Sequence, residues 1–207
     1  MEQMLDENRV VLTGRVVSEL EFSHKTYGEC FYAFKLGIER RSGYEDVVPV
    51  VVSERLIWNM DIQPGCEITA AGQIRTYNQQ SGGKNRLIIV VFARELEWAD
   101  GELPVNKVVL EGFVCKKPVR RTSPLGRELC DIMLAVNRLY NKSDYIPCIA
   151  WGRNAVYGGS MEVGAKLYIE GRLQSRQYKK YDEEGNPDIR TAYEVSVVRL
   201  EESEQIT

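Results

Sequence analysis

The sequence predicts an all-β protein built as two tandem five-stranded Greek-key barrels, each with a short helix between its third and fourth strands. Three observations predict it. The chain repeats itself at an offset of 98 residues, its apolar positions alternate or cluster as half-buried strands do, and glycines fall inside those strands at matching places in both copies.

The repeat decides the architecture. Asn8-Arg-Val-Val-Leu-Thr-Gly14 returns 98 residues later as Asn106-Lys-Val-Val-Leu-Glu-Gly112. The same offset carries Phe34-Lys-Leu-Gly-Ile-Glu-Arg40 onto Ile132-Met-Leu-Ala-Val-Asn-Arg138, and Asp46-Val-Val-Pro-Val50 onto Asp144-Tyr-Ile-Pro-Cys148. One residue further along, Gly65 and Gly72-Gln-Ile74 match Gly164 and Gly171-Arg-Leu173. These matches divide the chain into 1–102 and 103–207. The link between them, Ala99-Asp-Gly-Glu-Leu-Pro104, is too short for free tumbling and puts the two barrels side by side.

In the first copy, Val10, Leu12 and Val16 mark strand one; Phe34, Leu36 and Ile38 mark strand two; and a valine-rich run at 47–52 marks strand three. Glu54 to Asp61 has the length of a one- or two-turn helix before Pro64-Gly65 restarts a strand. Strands four and five cover 66–77 and 86–97, joined by a glycine-rich turn. The second copy repeats this with strands at 106–114, 129–138 and 145–151, a helical segment from Arg153 to Met161, and strands at 165–178 and 189–200. That order, in roughly 100 residues, is the order of the OB-fold barrel. Gly14, Gly72, Gly112 and Gly171 lie inside strands, where a missing Cβ permits the sharp bends that closure requires.

Composition narrows the function. The chain has 207 residues, 43% hydrophobic and 28% charged, which suits a globular protein and excludes wholesale disorder. No apolar run approaches the ~20 residues of a membrane span, and the acidic Met1-Glu-Gln-Met-Leu-Asp-Glu-Asn8 is unlike a signal peptide. A membrane partner is not expected. Five cysteines (Cys30, Cys66, Cys115, Cys130, Cys148) make no C-x-x-C pair, so neither a disulfide framework nor a thiolate zinc site is expected, and a reducing cytoplasm is. The lone histidine, His24, excludes most imidazole metal sites and most Ser/Cys–His catalysis. Asp182, Glu183 and Glu184 share a hairpin tip and read as a solvated turn. No cofactor, metal or catalytic group is expected.

The second copy resembles the bacterial single-stranded DNA-binding protein family. The residues that carry this are Asn106 to Gly112, Ile132 to Arg138, Tyr145-Ile-Pro-Cys-Ile-Ala-Trp-Gly152, Gly164, Ile169-Glu-Gly-Arg-Leu-Gln-Ser-Arg-Gln-Tyr178 and Tyr193-Glu-Val195. The first copy matches more weakly, through its opening strand, its second strand and Gly72-Gln-Ile-Arg-Thr76. The resemblance implies stacking of unpaired bases on Tyr140, Tyr145, Trp151 and Tyr178, with Arg138, Lys142, Arg172, Arg176, Lys179 and Lys180 serving the phosphates. Three tyrosines stand where the family usually has tryptophan or phenylalanine. Each ring has a plain alternative, since an isolated tryptophan on a strand is most often barrel core. Tyr145 and Trp151 are six apart, so a regular strand shows both on one face. Lys116, Lys117, Arg120 and Arg121 form a further cluster that a solvated face would explain equally well.

Charge separates the copies. The overall net charge is −3, but residues 1–103 hold 11 Lys+Arg against 16 Asp+Glu, and the remainder holds 16 against 14. Local field, not net charge, governs phosphate attraction. Where the second copy has Tyr145 and Trp151, the first has Val47 and Ser53; Arg40, Arg41, Tyr44, Arg75 and Tyr77 remain near its equivalent loops as a weaker set. The expected partner is therefore single-stranded DNA, gripped mainly by the second barrel, in replication, repair or recombination. Family members with two barrels per chain imply a homodimer presenting four, associated with the bacterial nucleoid. The family's Gly/Pro/Gln-rich linker and acidic Pro-Phe tip have no counterpart before Thr207, which argues against recruitment of replication proteins through such a tip. The competing expectation is a protein-interaction or scaffold module, or a primosomal accessory protein, with little intrinsic affinity for DNA.

Overall fold

The computed structural model describes residues 7–81, 84–181 and 185–203. The acidic cluster at 182–184 and the two chain ends expected above lie outside these residues. Twelve strands follow in order: β1 (Asn8–Val16), β2 (Glu21–Thr26), β3 (Glu29–Glu39), β4 (Glu45–Ser53), β5 (Glu67–Ser81), β6 (Lys84–Trp98), β7 (Val105–Val114), β8 (Val119–Thr122), β9 (Glu128–Arg138), β10 (Lys142–Trp151), β11 (Lys166–Tyr181) and β12 (Pro187–Glu202). One helix, α1 (Arg153–Gly158), separates β10 from β11.

Each half closes on itself. In the first, β1 pairs with β3, β3 with β4, β4 in parallel with β6, β6 with β5, and β5 with β1 again. In the second, β7, β9, β10, β12 and β11 form the same ring. Alternation makes this close: on β7 the residues Val108, Leu110 and Val114 turn inward and are fully buried or nearly so, as are Val10, Leu12 and Val16 on β1. Gly171 is where β11 bends, at a register shift against β12; a Cβ there would lie 2.5 Å from the Ser196 carbonyl oxygen. Its counterpart Gly72 meets the Phe92 carbonyl in the same way, also at a register shift.

Two expectations need correction. Beyond the five ring strands, each half has a sixth, β2 and β8, both exposed along their whole length and hydrogen-bonded to one neighbour only. They carry no buried face, so they leave no alternation to read. The expected helix also forms in the second half alone; residues 54–59 make turns. In α1, Val156 N–H donates to the Gly152 carbonyl and Gly159 N–H to that of Ala155, the α-helical spacing. Leu56 and Met60 N–H donate to carbonyls only three residues back. Ala155 and Gly158 are buried, letting α1 lie close over β9 and β12 (a Cβ on Gly158 would lie 2.8 Å from Ile132). At the offset of 98, Ile57 and Met60 stand in those places and are too large for the same approach.

The halves join through β1 and β7, and the junction has two-fold character. Asn8 pairs with Leu110 and Leu12 with Asn106; the offset of 98 turns one pair into the other, with Val10 opposite Val108 at the centre. Asn8 extends the ladder with its side chain: its Nδ2 donates to the Ile74 carbonyl and its Oδ1 accepts from Ile74 N–H, both at 2.8 Å. Asn106 makes the same two bonds to Leu173, also at 2.8 Å. This accounts for an asparagine opening both copies of the repeat.

Candidate nucleic-acid interface

The long β5–β6 and β11–β12 hairpins do not stay over their own halves. Beyond Ile74, β5 runs against β10, and beyond Leu173, β11 runs against β4. Two buried aspartates hold these crossings. Asp144, fully buried on β10, accepts from Thr76 N–H at 2.6 Å and from Arg75 Nη1 at 3.0 Å. Tyr145 N–H donates back to Thr76 Oγ1 at 2.8 Å. At the related place, Asp46 on β4 accepts from Ser175 N–H at 2.7 Å and from Arg40 Nε and Nη2, each at 2.6 Å, while Val47 N–H donates to Ser175 Oγ at 3.0 Å. Offsets of 98 and 99 relate every partner in the two sets, apart from Arg75 and Arg40.

The second half presents its rings to solvent. Tyr140 is 91% exposed, Tyr145 48%, Trp151 39% and Tyr178 38%. Tyr140 and Asn141 sit in the left-handed region (φ 63° and 54°) in the short 3₁₀ turn between β9 and β10. For Tyr140 this costs about 1–2 kcal/mol, whereas asparagine tolerates the region, and the Tyr140 ring projects from the surface. Tyr145, flanked by buried Asp144 and Ile146, and Trp151, the last residue of β10, both turn outward from that strand. Arg172, Arg176 and Tyr178 share one exposed face of β11, and the Arg176 guanidinium lies 5.9 Å from the Tyr178 ring centroid. Lys142, Lys179 and Lys180 are exposed.

Other candidate cations face carboxylates within the protein. Arg138 Nε lies 3.4 Å from Asp144 Oδ2, an ion pair without hydrogen-bond geometry, and that nitrogen is buried with no hydrogen-bond partner among the described residues. Arg75 also reaches Gln73 Oε1 at 2.5 Å; burial pulls its pKa below the usual arginine value and Asp144 pushes it back up. Arg40, tied to Asp46, also lies 4.7 Å over the Tyr44 ring. Among the described residues Arg41 has no such tie; it is exposed, and Tyr44 and Tyr77 are 46% and 53% exposed. Of the cluster after β7, Arg120 pairs with Glu128 and Arg121 with Asp131 at the surface. Glu194 on β12 is half-buried among Arg176, Arg121, Arg40 and Asp131; burial pushes its carboxyl above the usual range, with the arginines pulling the other way.

Sequence reasoning missed the aspartate clasps. The signal was present, because Asp46 and Asp144 open matching segments of the repeat, and a carboxylate conserved between copies inside an apolar strand needs a partner. It also passed over Tyr181 and Ile189, 63% and 64% exposed on the β11–β12 hairpin, and Trp58, 84% exposed in the turns after β4.

Residues 105–201 match the model of the single-strand binding protein family. Among curated proteins, single-stranded DNA-binding protein 2 of Listeria innocua is 32% identical over 85 residues, covering 38% of this chain and 54% of that protein. Single-stranded DNA-binding protein A of Bacillus subtilis is 34% identical over 82 residues, covering 36% and 48%. The chain thus spans about half the length of the curated relatives it matches. The wild-type single-stranded DNA binding protein of Thermus aquaticus superposes with a TM-score of 0.76 at 21% identity, over 96% of this chain and 93% of that one. At that identity the likeness establishes the fold, and it does so for both halves. Over residues 105–201, this chain is thus similar to the single-strand binding protein family.

Proposed function

We propose that the protein binds single-stranded DNA with little regard to sequence, stacking unpaired bases on Tyr140, Tyr145, Trp151 and Tyr178 and neutralising phosphates with Lys142, Arg172, Arg176, Lys179 and Lys180. The observation that carries this is the exposure of all four rings on one half, beside cations that are not spent on buried carboxylates. Every base has a π-face, so such stacking tolerates any sequence and is worth about 1–3 kcal/mol per base. Each half is an OB-fold, divided near residue 102, and the second dominates binding because Val47 and Ser53 replace the stacking pair in the first. The working form is a homodimer presenting four barrels to strands exposed in bacterial replication, repair or recombination. Nothing in this role calls for a catalytic group.

The test is fluorescence titration with oligo(dT) at several salt concentrations. Trp58 and Trp98 are 84% and 45% exposed and would blur the signal, so the protein carries Trp58→Phe and Trp98→Phe, leaving Trp151 as reporter. Stacking predicts quenching of Trp151, and phosphate neutralisation predicts log K falling against log salt with a slope of about −0.7 per contact. Absence of binding, or equal affinity for duplex, whose bases have no free faces, defeats the reading; absence of binding would favour a protein-interaction module.

A further inference from the structure

Each hairpin is hydrogen-bonded to the other half beside that half's candidate residues. Tyr77 follows Thr76, which is clasped to Asp144 and Tyr145 of the second half. Tyr178 lies three residues past Ser175, which is clasped to Asp46 and Val47 of the first half, just beyond Tyr44. Within the second half, β12 lies between β10 and β11, and Tyr178 is opposite Arg190, beyond the Cys148–Val195 pairing of β10, so Tyr145 and Tyr178 stand at least two strand spacings apart, ~10 Å or more. The strand order separates Tyr44 on the β3–β4 turn from Tyr77 on β5 in the same way.

We infer that single-stranded DNA meets two composite sites, each formed by the β-turn of one half and the hairpin of the other. This rests on the nucleic-acid reading above. The Asp144 site joins Tyr140 and Tyr145 of the second half to Tyr77 of the first; the Asp46 site joins Tyr44 of the first to Tyr178 of the second. Charge supports the grouping. At Asp144 two guanidiniums, Arg75 from one half and Arg138 from the other, face a single carboxylate, leaving one positive charge uncompensated in a part-buried place. A phosphate is the anion that completes such a cluster, and Arg138 spends no hydrogen bond on the aspartate. At Asp46 one guanidinium meets one buried carboxylate, the half-buried Glu194 carboxyl lies among Arg40, Arg121 and Arg176, and the phosphate charge falls to Arg41 and Arg176. A strand crossing the junction is therefore held at each site by both halves, which makes the duplicated chain one binding unit, not two beads.

Double-mutant cycles on the full chain, read as affinity for oligo(dT), test this. Tyr44, Tyr77, Tyr145 and Tyr178 are all at least 38% exposed, so alanine at each leaves the fold intact. Residues sharing a site couple, whereas residues beyond 7–10 Å without shared partners act independently. Tyr77→Ala with Tyr145→Ala, and Tyr44→Ala with Tyr178→Ala, should each depart from the product of their single losses by about threefold or more. Tyr145→Ala with Tyr178→Ala, and Tyr44→Ala with Tyr77→Ala, should multiply. Coupling within a half as strong as coupling across the junction overturns the composite sites while leaving DNA binding standing. An unsubstituted protein with no affinity for oligo(dT) removes the functional reading and this inference with it.

Discussion

Replacing Asp144 with alanine measures how firmly the hairpin of the first half is clasped to the second. The carboxylate is fully buried and receives Thr76 N–H at 2.6 Å and Arg75 Nη1 at 3.0 Å, with Arg138 Nε at 3.4 Å. Its loss leaves the Thr76 amide without an acceptor, about 1–3 kcal/mol. It also leaves two part-buried guanidiniums without an anion, and breaking a buried pair this way costs about 3–5 kcal/mol. The effects share one side chain and do not add, so the expected loss is about 3–5 kcal/mol. Asp131, paired with Arg121 at the surface with about half of each side chain exposed, is the control; its removal should cost at most about 1 kcal/mol. Asp144→Asn keeps an acceptor for Thr76 but not the charge, and should fall between. Urea denaturation, with stability taken from the midpoint and slope, gives all three values. If Asp144→Ala lies within about 1 kcal/mol of Asp131→Ala, the clasp does not hold the hairpin and the junction argument fails.

Two further outcomes follow from single residues. Gly171→Ala places a methyl 2.5 Å from the Ser196 carbonyl, so the β11–β12 bulge must open; a loss of about 1–3 kcal/mol in the same urea assay is expected, and a neutral result would mean the bend is not close-packed. Burial raises the folded pKa of Glu194 above the ordinary glutamate value. The folded state therefore holds this proton more tightly than the unfolded one, and the contribution to stability is full below the unfolded pKa and lost as pH rises through the folded pKa. Its ionised form also sets a negative charge among Arg176, Arg121 and Arg40, so affinity for oligo(dT) should fall over the same window. Glu194→Gln should flatten both profiles, as denaturation and binding at a series of pH values would show; unchanged profiles would assign the pH dependence to other groups.

The sequence by itself determined the duplication and the ring strands, and pointed to four of the exposed rings. Each leaves a local mark: repeated segments at an offset of 98, alternation along β1 and β7, and aromatics beside polar turns at Tyr140 and Tyr178. β2 and β8 left none, because a strand with no buried face has no period to read. The missing first helix was hidden for a related reason, since Ile57 and Met60 suit a helix locally and fail only against the sheet beneath. Only the tertiary structure decided which cations face buried carboxylates and which lie open. Arg40, Arg75 and Arg138 look in sequence like Arg172 and Arg176, yet the first three face buried aspartates while the last two lie open. It also decided which tyrosines are neighbours. Hydrogen bonds from Thr76 and Ser175 cross between halves at sequence separations of 68 and 129 residues. No pattern along the chain encodes such pairings, because they arise from the two-fold meeting of β1 with β7 and the reach of the hairpins beyond it.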